Sequence, residues 1–242
     1  MKAIILAAGR GSRMCEATKD VPKCLMTLNN KTLLDRCLDS LMEAGFTLQD
    51  IGIVTGYRSE KVDVSGVKYF HNENWESTNM FVSLTMAKEW LKSETCIVCY
   101  SDIIFSSSVI RKIMDDSNEI SITYYTEFWD LWKLRMDNPL SDLETFKLHN
   151  GKLIEIGKKP TCREEIHGQF MGIIRFTPLG WEQTETALKL RLPMPIEKLD
   201  MTSLLQHLLD CGYHVAALPT SELWLEFDSQ DDIVACGQIF NV

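Results

Sequence analysis

Basic residues never run longer than two in this chain. Lys and Arg number 25 against 34 Asp and Glu, for a formal net charge of −9. That balance excludes a polyanion such as nucleic acid as the main partner, because phosphate-backbone binding relies on clustered cations. Apolar runs are short too, none nearing the about eighteen residues of a spanning helix. The N-terminus has no charged-then-apolar-then-small leader pattern, so the expected location is cytoplasmic and the expected partners include no membrane. The eight cysteines form no framework. Cys96 and Cys99 have zinc-like spacing but lie inside the apolar run 95–100, with no second pair or histidine couple to complete a tetrahedral set. Cys15, Cys24, Cys37, Cys162, Cys211 and Cys236 are scattered, which suits buried thiols in a reducing compartment. Repeats, low-complexity tracts and true linkers are absent as well. A 45% hydrophobic, 24% charged composition is that of an ordinary soluble globule.

Two phosphate-binding signatures are also missing. No glycine-rich spacing ending in Gly-Lys-Ser/Thr occurs, which disfavours a P-loop enzyme, and the third glycine of the dinucleotide fingerprint is replaced by Met14. The first 25 residues instead hold the apolar run Ala3 to Leu6, a turn with Gly9 and Gly11, Arg13, and the block Val21-Pro22-Lys23. The run reads as a buried parallel strand, and the glycines let backbone pass close to a ligand, with successive N–H groups forming a nest for phosphate oxygens. Arg13 offers a planar fork to phosphate, and Lys23 a compact charge where negative charge builds during transfer. Leu6, Ala7, Ala8, Gly9, Gly11 and Ser12 are the candidate nucleotide contacts, Arg13 and Lys23 the candidate catalytic pair. This block resembles the signature of the nucleotidyltransferases that make nucleotide sugars and activated head groups, and the resemblance runs nearly the whole chain.

Farther along, strands and helices alternate. The expected fold is α/β, a mainly parallel Rossmann-like sheet with helices on both faces and a small α+β insertion for the acceptor, all in one domain spanning 1–242. Lys31 to Ala44 reads as a helix with Leu33, Leu34, Cys37, Leu38, Leu41 and Met42 on one stripe and Gly45 at its end. Ile51 to Thr55 reads as the second strand, 78–91 as a helix, 95–100 as the third strand and Ser107 to Met114 as a short helix. The insertion, about 127–168, carries a hairpin signal at Asn150-Gly151. Gln169 to Phe176 returns to strand, 201–209 to helix and 223–227 to strand, with a terminal helix from Ser229.

Asp102 comes directly after the strand 96–100 and Asp228 directly after the strand 223–227. Carboxylates at the ends of two neighbouring parallel strands can converge on one Mg²⁺, and in the family that Tyr100-Ser101-Asp102 and Glu226-Phe227-Asp228 resemble this pair holds the catalytic metal. Each could equally cap the next element of the chain. The resemblance assigns the base and ribose to Gly56, Tyr57, Asn79 and Ser83, although Asn79 could be a plain helix cap. For the acceptor, Trp129 and Trp132 beside Glu127 and Asp130 suit an ammonium through cation–π contact and charge pairing. Lys158 and Lys159 could meet its phosphate or phosphonate, and Glu226 joins this candidate set. The two indoles, one helical turn apart, could instead be a core stripe. The blocks 129–148, 155–160 and 201–203 resemble cytidylyltransferases of phosphocholine, 2-aminoethylphosphonate or phosphorylated glutamine. The resemblance thus implies CTP and a small phosphorylated or phosphonate amino compound as substrates, Mg²⁺ as cofactor and release of pyrophosphate. A sugar-phosphate enzyme using another nucleotide, a non-catalytic nucleotide-binding regulator, a homodimer and a fusion to another pathway enzyme all stay open.

Overall fold

The computed structural model describes residues 1–190, 192–229 and 232–234. Thirteen strands are defined among them: β1 Lys2–Ala7, β2 Thr27–Leu28, β3 Lys31–Thr32, β4 Ile51–Thr55, β5 Lys68–His71, β6 Cys96–Tyr100, β7 Ile103–Phe105, β8 Ile120–Tyr125, β9 Phe146–His149, β10 Lys152–Ile156, β11 Gln169–Phe176, β12 Ala216–Thr220 and β13 Trp224–Glu226. The α-helices are α1 Leu33–Glu43, α2 Met80–Thr85, α3 Lys88–Ser93, α4 Ser107–Met114, α5 Phe128–Arg135, α6 Pro178–Ala187 and α7 Met201–Asp210. The helix expected from Ser229 lies largely outside the described residues, as does Cys236.

Seven strands form one sheet in the order β12-β8-β11-β6-β1-β4-β5. All neighbours pair in parallel except β11, which runs antiparallel to both β6 and β8. The fold is therefore α/β with a mainly parallel sheet, as expected. Successive β1 side chains point to opposite faces. Ala3, Ile5 and Ala7 join a core with the apolar faces of α1 and α4, whereas Ile4, Leu6 and Ala8 join one with α2, α6 and α7. Cys96 and Cys99 are fully buried within β6, and burial pushes the Cys96 thiol up to about 12.

Several sequence expectations need correction. Helix α1 begins two residues later than expected, because Lys31 and Thr32 form β3 and the Thr32 side chain accepts the Asp35 N–H as N-cap. Met42 is 41% exposed and off the buried stripe. The helix expected over 78–91 is two helices, because Met86 N–H and Ala87 N–H bond three residues back and tighten the ladder between α2 and α3. That break carries Trp90 onto Phe70, ring centroids 5.2 Å apart, over Gly52. Strands β5, β7, β8 and β12 and helix α6 are additional to the expected set. The hairpin of β9 and β10 forms as expected, with Asn150 at φ 49° and Gly151 at φ 74°, both in the left-handed region.

The chain leaves β1 toward β4 and β5 on one side and returns to β6 on the other. The crevice at the carboxyl end of β1 is thus a topological switch point, where open α/β sheets bind ligands.

Candidate active site

The loop after β1 is shaped around one lysine. Gly11 adopts φ 73°, and a Cβ there would come within 2.9 Å of the Lys23 side chain. Its carbonyl accepts the Thr18 hydroxyl at 2.9 Å and the Met14 N–H at 2.9 Å. Met14 is fully buried, which explains why the third position of a glycine fingerprint is apolar here. A Cβ at Gly9 would meet no protein atom within 4 Å, so internal packing sets no demand for glycine there. Pro22, extended at φ −64° and ψ 149°, starts the short turn that turns Lys23 inward.

The Lys23 ammonium lies between two carboxylates, 2.5 Å from Asp102 Oδ2 and 2.7 Å from Asp228 Oδ1. Arg13 Nη1 reaches Asp228 Oδ2 at 2.8 Å. Burial alone would lower the lysine pKa, but attraction to Asp102 and Asp228 outweighs it and holds the ammonium above the usual lysine range. The amino-terminal loop and the two distant acids therefore close around one point.

Convergence of the two acids comes about differently from the sequence expectation. Asp102 does lie at the end of a strand of the main sheet, but Asp228 comes after β13, which pairs antiparallel with β7 outside it. The Phe227 N–H bonds the Asp102 carbonyl at 3.0 Å and brings the carboxylates together. The side chains of both face Lys23.

A cavity of about 330 Å³ opens on this cluster. Of the expected residues, Leu6, Ala8, Gly9, Gly11, Ser12, Arg13, Lys23, Asn79, Ser83, Asp102, Glu226 and Asp228 line it. Ala7 points into the core instead. Gly56 and Tyr57 lie behind the wall. The Tyr57 N–H holds the Ala8 carbonyl at 3.0 Å, and a Cβ at Gly56 would strike Trp75 and that carbonyl at 2.6 and 2.7 Å. Asn79 lines the cavity and also caps α2, its Oδ1 accepting the Met80 N–H at 2.8 Å. Ser83 is held by the Asn72 amide at 3.0 Å. Trp75, Thr78, Met80, Tyr100 and Ser101 complete the lining and are additional to the candidate contacts.

A second cavity of about 360 Å³ adjoins the first, sharing Arg13, Asn79, Met80, Tyr100, Glu226 and Asp228. Trp132 lines it, its indole N–H donating to Asp142 at 2.9 Å. The other expected acceptor residues of the insertion do not. Trp129 packs under the Arg163 guanidinium at 4.8 Å, and Lys158 is 58% exposed and paired with Glu155 at 2.7 Å. The carboxylates that face Trp132 across this space are Asp142, Glu144, Asp200 and Glu226, not Glu127 and Asp130. Burial, reinforced by Asp200, pushes the Glu144 carboxyl above the usual range. Phe170 and Gln169, from the start of β11, with Met201 and Thr202, from the start of α7, complete the wall. Asp142, Glu144 and Asp200 carry no local motif, and only the tertiary fold makes them one set.

The acid pair and its lysine thus stand at the switch point where open α/β sheets bind ligands, and the comparisons give the class. Residues 3–130 match the MobA-like NTP transferase domain, and the chain belongs to that nucleotidyltransferase family. It is 31% identical to the CTP:phosphoglutamine cytidylyltransferase of Campylobacter jejuni over 96% of this chain and 98% of that one. The choline-phosphate cytidylyltransferase of Streptococcus pneumoniae is 39% identical over 53% of this chain and 54% of its own length. The 2-aminoethylphosphonate cytidylyltransferase of Lancefieldella rimae is 29% identical over 45% of each. In fold, the chain resembles the inositol-1-phosphate CTP transferase of T. maritima, with TM-score 0.72 at 22% identity over 96% of this chain and 90% of that one. No described helix is long and apolar enough to cross a membrane.

Proposed function

We propose that this chain transfers CMP from CTP to a small amino-bearing phosphate or phosphonate, phosphorylated glutamine being the first candidate, with release of pyrophosphate. The observation that carries the reading is the join between the two cavities. On one side stand the glycine loop, Arg13 and Lys23, suited to a triphosphate. On the other, Asp142, Glu144, Asp200 and Glu226 surround Trp132, Tyr100 and Phe170. An acceptor carrying only phosphate and hydroxyls would bring no positive charge to these four carboxylates, which outnumber the one arginine lining the space among the described residues, Arg13. One carrying an ammonium gains charge pairing and cation–π attraction, and its phosphate faces Arg13. The relative that aligns over the full chain acts on phosphoglutamine by its name, which supports the same class.

In this reading the acceptor's phosphate oxygen attacks the α-phosphorus in line and the β,γ-diphosphate leaves. A phosphate monoester has a second pKa of about 6, so the attacking group is already anionic and needs no general base. The chain's part is positioning and charge neutralisation. Backbone N–H groups of the Gly9 to Gly11 turn and Arg13 orient the leaving diphosphate, and Lys23 neutralises charge at the α-phosphoryl group. Asp102 and Asp228 would hold Mg²⁺. Their oxygens already converge on one positive charge, the Lys23 ammonium, and magnesium commonly takes one or two carboxylates. When bound, the ion would supply charge neutralisation to the phosphates.

The test is pyrophosphate release with CTP, UTP, GTP and dTTP crossed with phosphorylated glutamine, phosphocholine, 2-aminoethylphosphonate and sugar 1-phosphates, with and without Mg²⁺. Release with CTP and an amino-bearing acceptor is expected. Turnover confined to sugar phosphates, or CTP binding with no release across the panel, would overturn the proposal.

A further inference from the structure

Behind the metal-side carboxylate lies a buried arginine that the transfer chemistry does not use. Arg135 ends α5, in the insertion, and its side chain is 1% exposed. Its Nε donates to Asp232 Oδ1 at 2.7 Å. The other oxygen of Asp232 accepts the backbone N–H of Asp228 at 3.0 Å and that of Ser229 at 2.8 Å. Among the described residues Arg135 Nη1 makes no hydrogen bond, and it faces Glu226 Oε2 at 3.5 Å. The guanidinium also lies over the Trp132 ring, 4.6 Å from its centroid. One cation thus touches the wall of the acceptor cavity and, through a single carboxylate, the backbone that presents Asp228 to Lys23.

We propose that Arg135 is a positioning residue for nucleotidyl transfer, setting the Asp228 carboxylate through Asp232 and the Trp132 indole by stacking. Desolvating a guanidinium is costly, so a purely structural α5 would be better served by an apolar residue. Removing Arg135 leaves Asp232 without its counter-charge and frees the Asp228 backbone to shift. Groups standing behind metal-side carboxylates typically contribute about tenfold to hundredfold in metal affinity or activity.

The inference rests on the reading of Asp228 as part of the transfer site, so its experiment carries a readout separate from turnover. Wild type, Arg135→Gln, Arg135→Lys and the control Arg175→Gln are compared for thermal stability, kcat, and Mn²⁺ affinity in the presence of CTP by calorimetry. Arg175 is a second buried arginine, bonded to the Asn118 carbonyl away from both cavities. Arg135→Gln is expected to lower kcat and Mn²⁺ affinity by about tenfold to hundredfold, with CTP affinity in the absence of metal unchanged. Arg135→Lys is expected to recover part of both, and Arg175→Gln to lower stability alone. If wild type releases no pyrophosphate with any acceptor, the functional reading falls while Mn²⁺ binding still reads Arg135. Folded Arg135→Gln with wild-type Mn²⁺ affinity and rate overturns the proposal, and so do losses that merely track thermal stability in both arginine variants.

Discussion

Lys23 is the residue on which the site turns, because its ammonium satisfies both aspartates in the free chain. Lys23→Ala removes a charge that the proposed transfer needs at the α-phosphoryl group, and loss of one such group typically lowers kcat about 10²–10³-fold. It also leaves Asp102 and Asp228 facing each other without their cation. Divalent metal should therefore bind the nucleotide-free variant more tightly than wild type, a change that calorimetry with Mn²⁺ alone would register. Near-full turnover at saturating substrate, or weaker metal binding in the variant, would count against this role. Gly11 supports the same lysine. Gly11→Ala forces a left-handed alanine, at about 1–2 kcal/mol, and drives its Cβ against the Lys23 stem, 2.9 Å away. Stability should fall by about that amount while kcat falls further. A drop in melting temperature with unaltered kcat would separate the loop's shape from the lysine's position.

At the scale of elements, Asp200 has two roles that an alanine substitution alone cannot distinguish. Its Oδ1 accepts the Ser203 N–H at 2.7 Å as N-cap of α7, and it faces the acceptor cavity. Asparagine caps as well as aspartate does, whereas alanine loses about 1 kcal/mol. Asp200→Asn should therefore keep its melting temperature and raise KM for an ammonium-bearing acceptor, while Asp200→Ala should show both effects. Equal KM for wild type and Asp200→Asn would remove this carboxylate from acceptor recognition.

How far elements and site can be read from sequence depends on the same distinction between local and distant causes. The β1 strand, its glycine turn, α1, β4, α4, the Asn150-Gly151 hairpin and β11 are legible because periodicity, caps and turn residues are local. Strand β8 is concealed because Ser121 and Thr123 look like surface positions yet are fully buried. Strand β5 sits at the sheet edge with only Phe70 buried, so no apolar run marks it. The direction of β11 and the placement of β13 beside β7 come from long-range pairing, which no window of sequence contains. Lys23, Arg13, Asp102 and Asp228 stand out by motif, whereas Asp142, Glu144 and Asp200 become a set only when the insertion and α7 meet. Trp129 and Trp132 look equivalent by spacing, and packing on Arg163 takes one of them away from the cavity.

Over the whole molecule, stability should respond to pH from two opposing groups of carboxyls. Hydrogen bonds from Lys2 and Thr47 lower the Asp50 pKa to about 2, and bonds from Ser121 and Asn118 lower that of Asp116 despite the opposing effect of burial. A depressed folded pKa contributes stability that is present above the unfolded value of about 3.9 and disappears as pH falls through the folded value. Glu144 acts in the opposite sense. Burial and Asp200 raise its folded pKa, so between the ordinary glutamate value and the raised one the folded state holds more protons than the unfolded state, and stability declines as pH rises. The melting temperature should therefore peak on the acid side of neutrality. Glu144→Gln removes the Glu144 share of the upper decline, while the share of Glu226, whose carboxyl burial and Asp228 push up to about 8, and the acid limb stay in place, which a thermal melt series from about pH 3 to about pH 9 would display. An ammonium-bearing acceptor supplies the missing counter-charge, so its stabilising effect on wild type should grow with pH over the same interval and be flatter in Glu144→Gln. An identical decline in the two proteins, with no part of it lost in Glu144→Gln beyond the share of Glu226, would show that the charge on Glu144 is already offset in the free chain, and with it would go the electrostatic reason for preferring an amino-bearing acceptor.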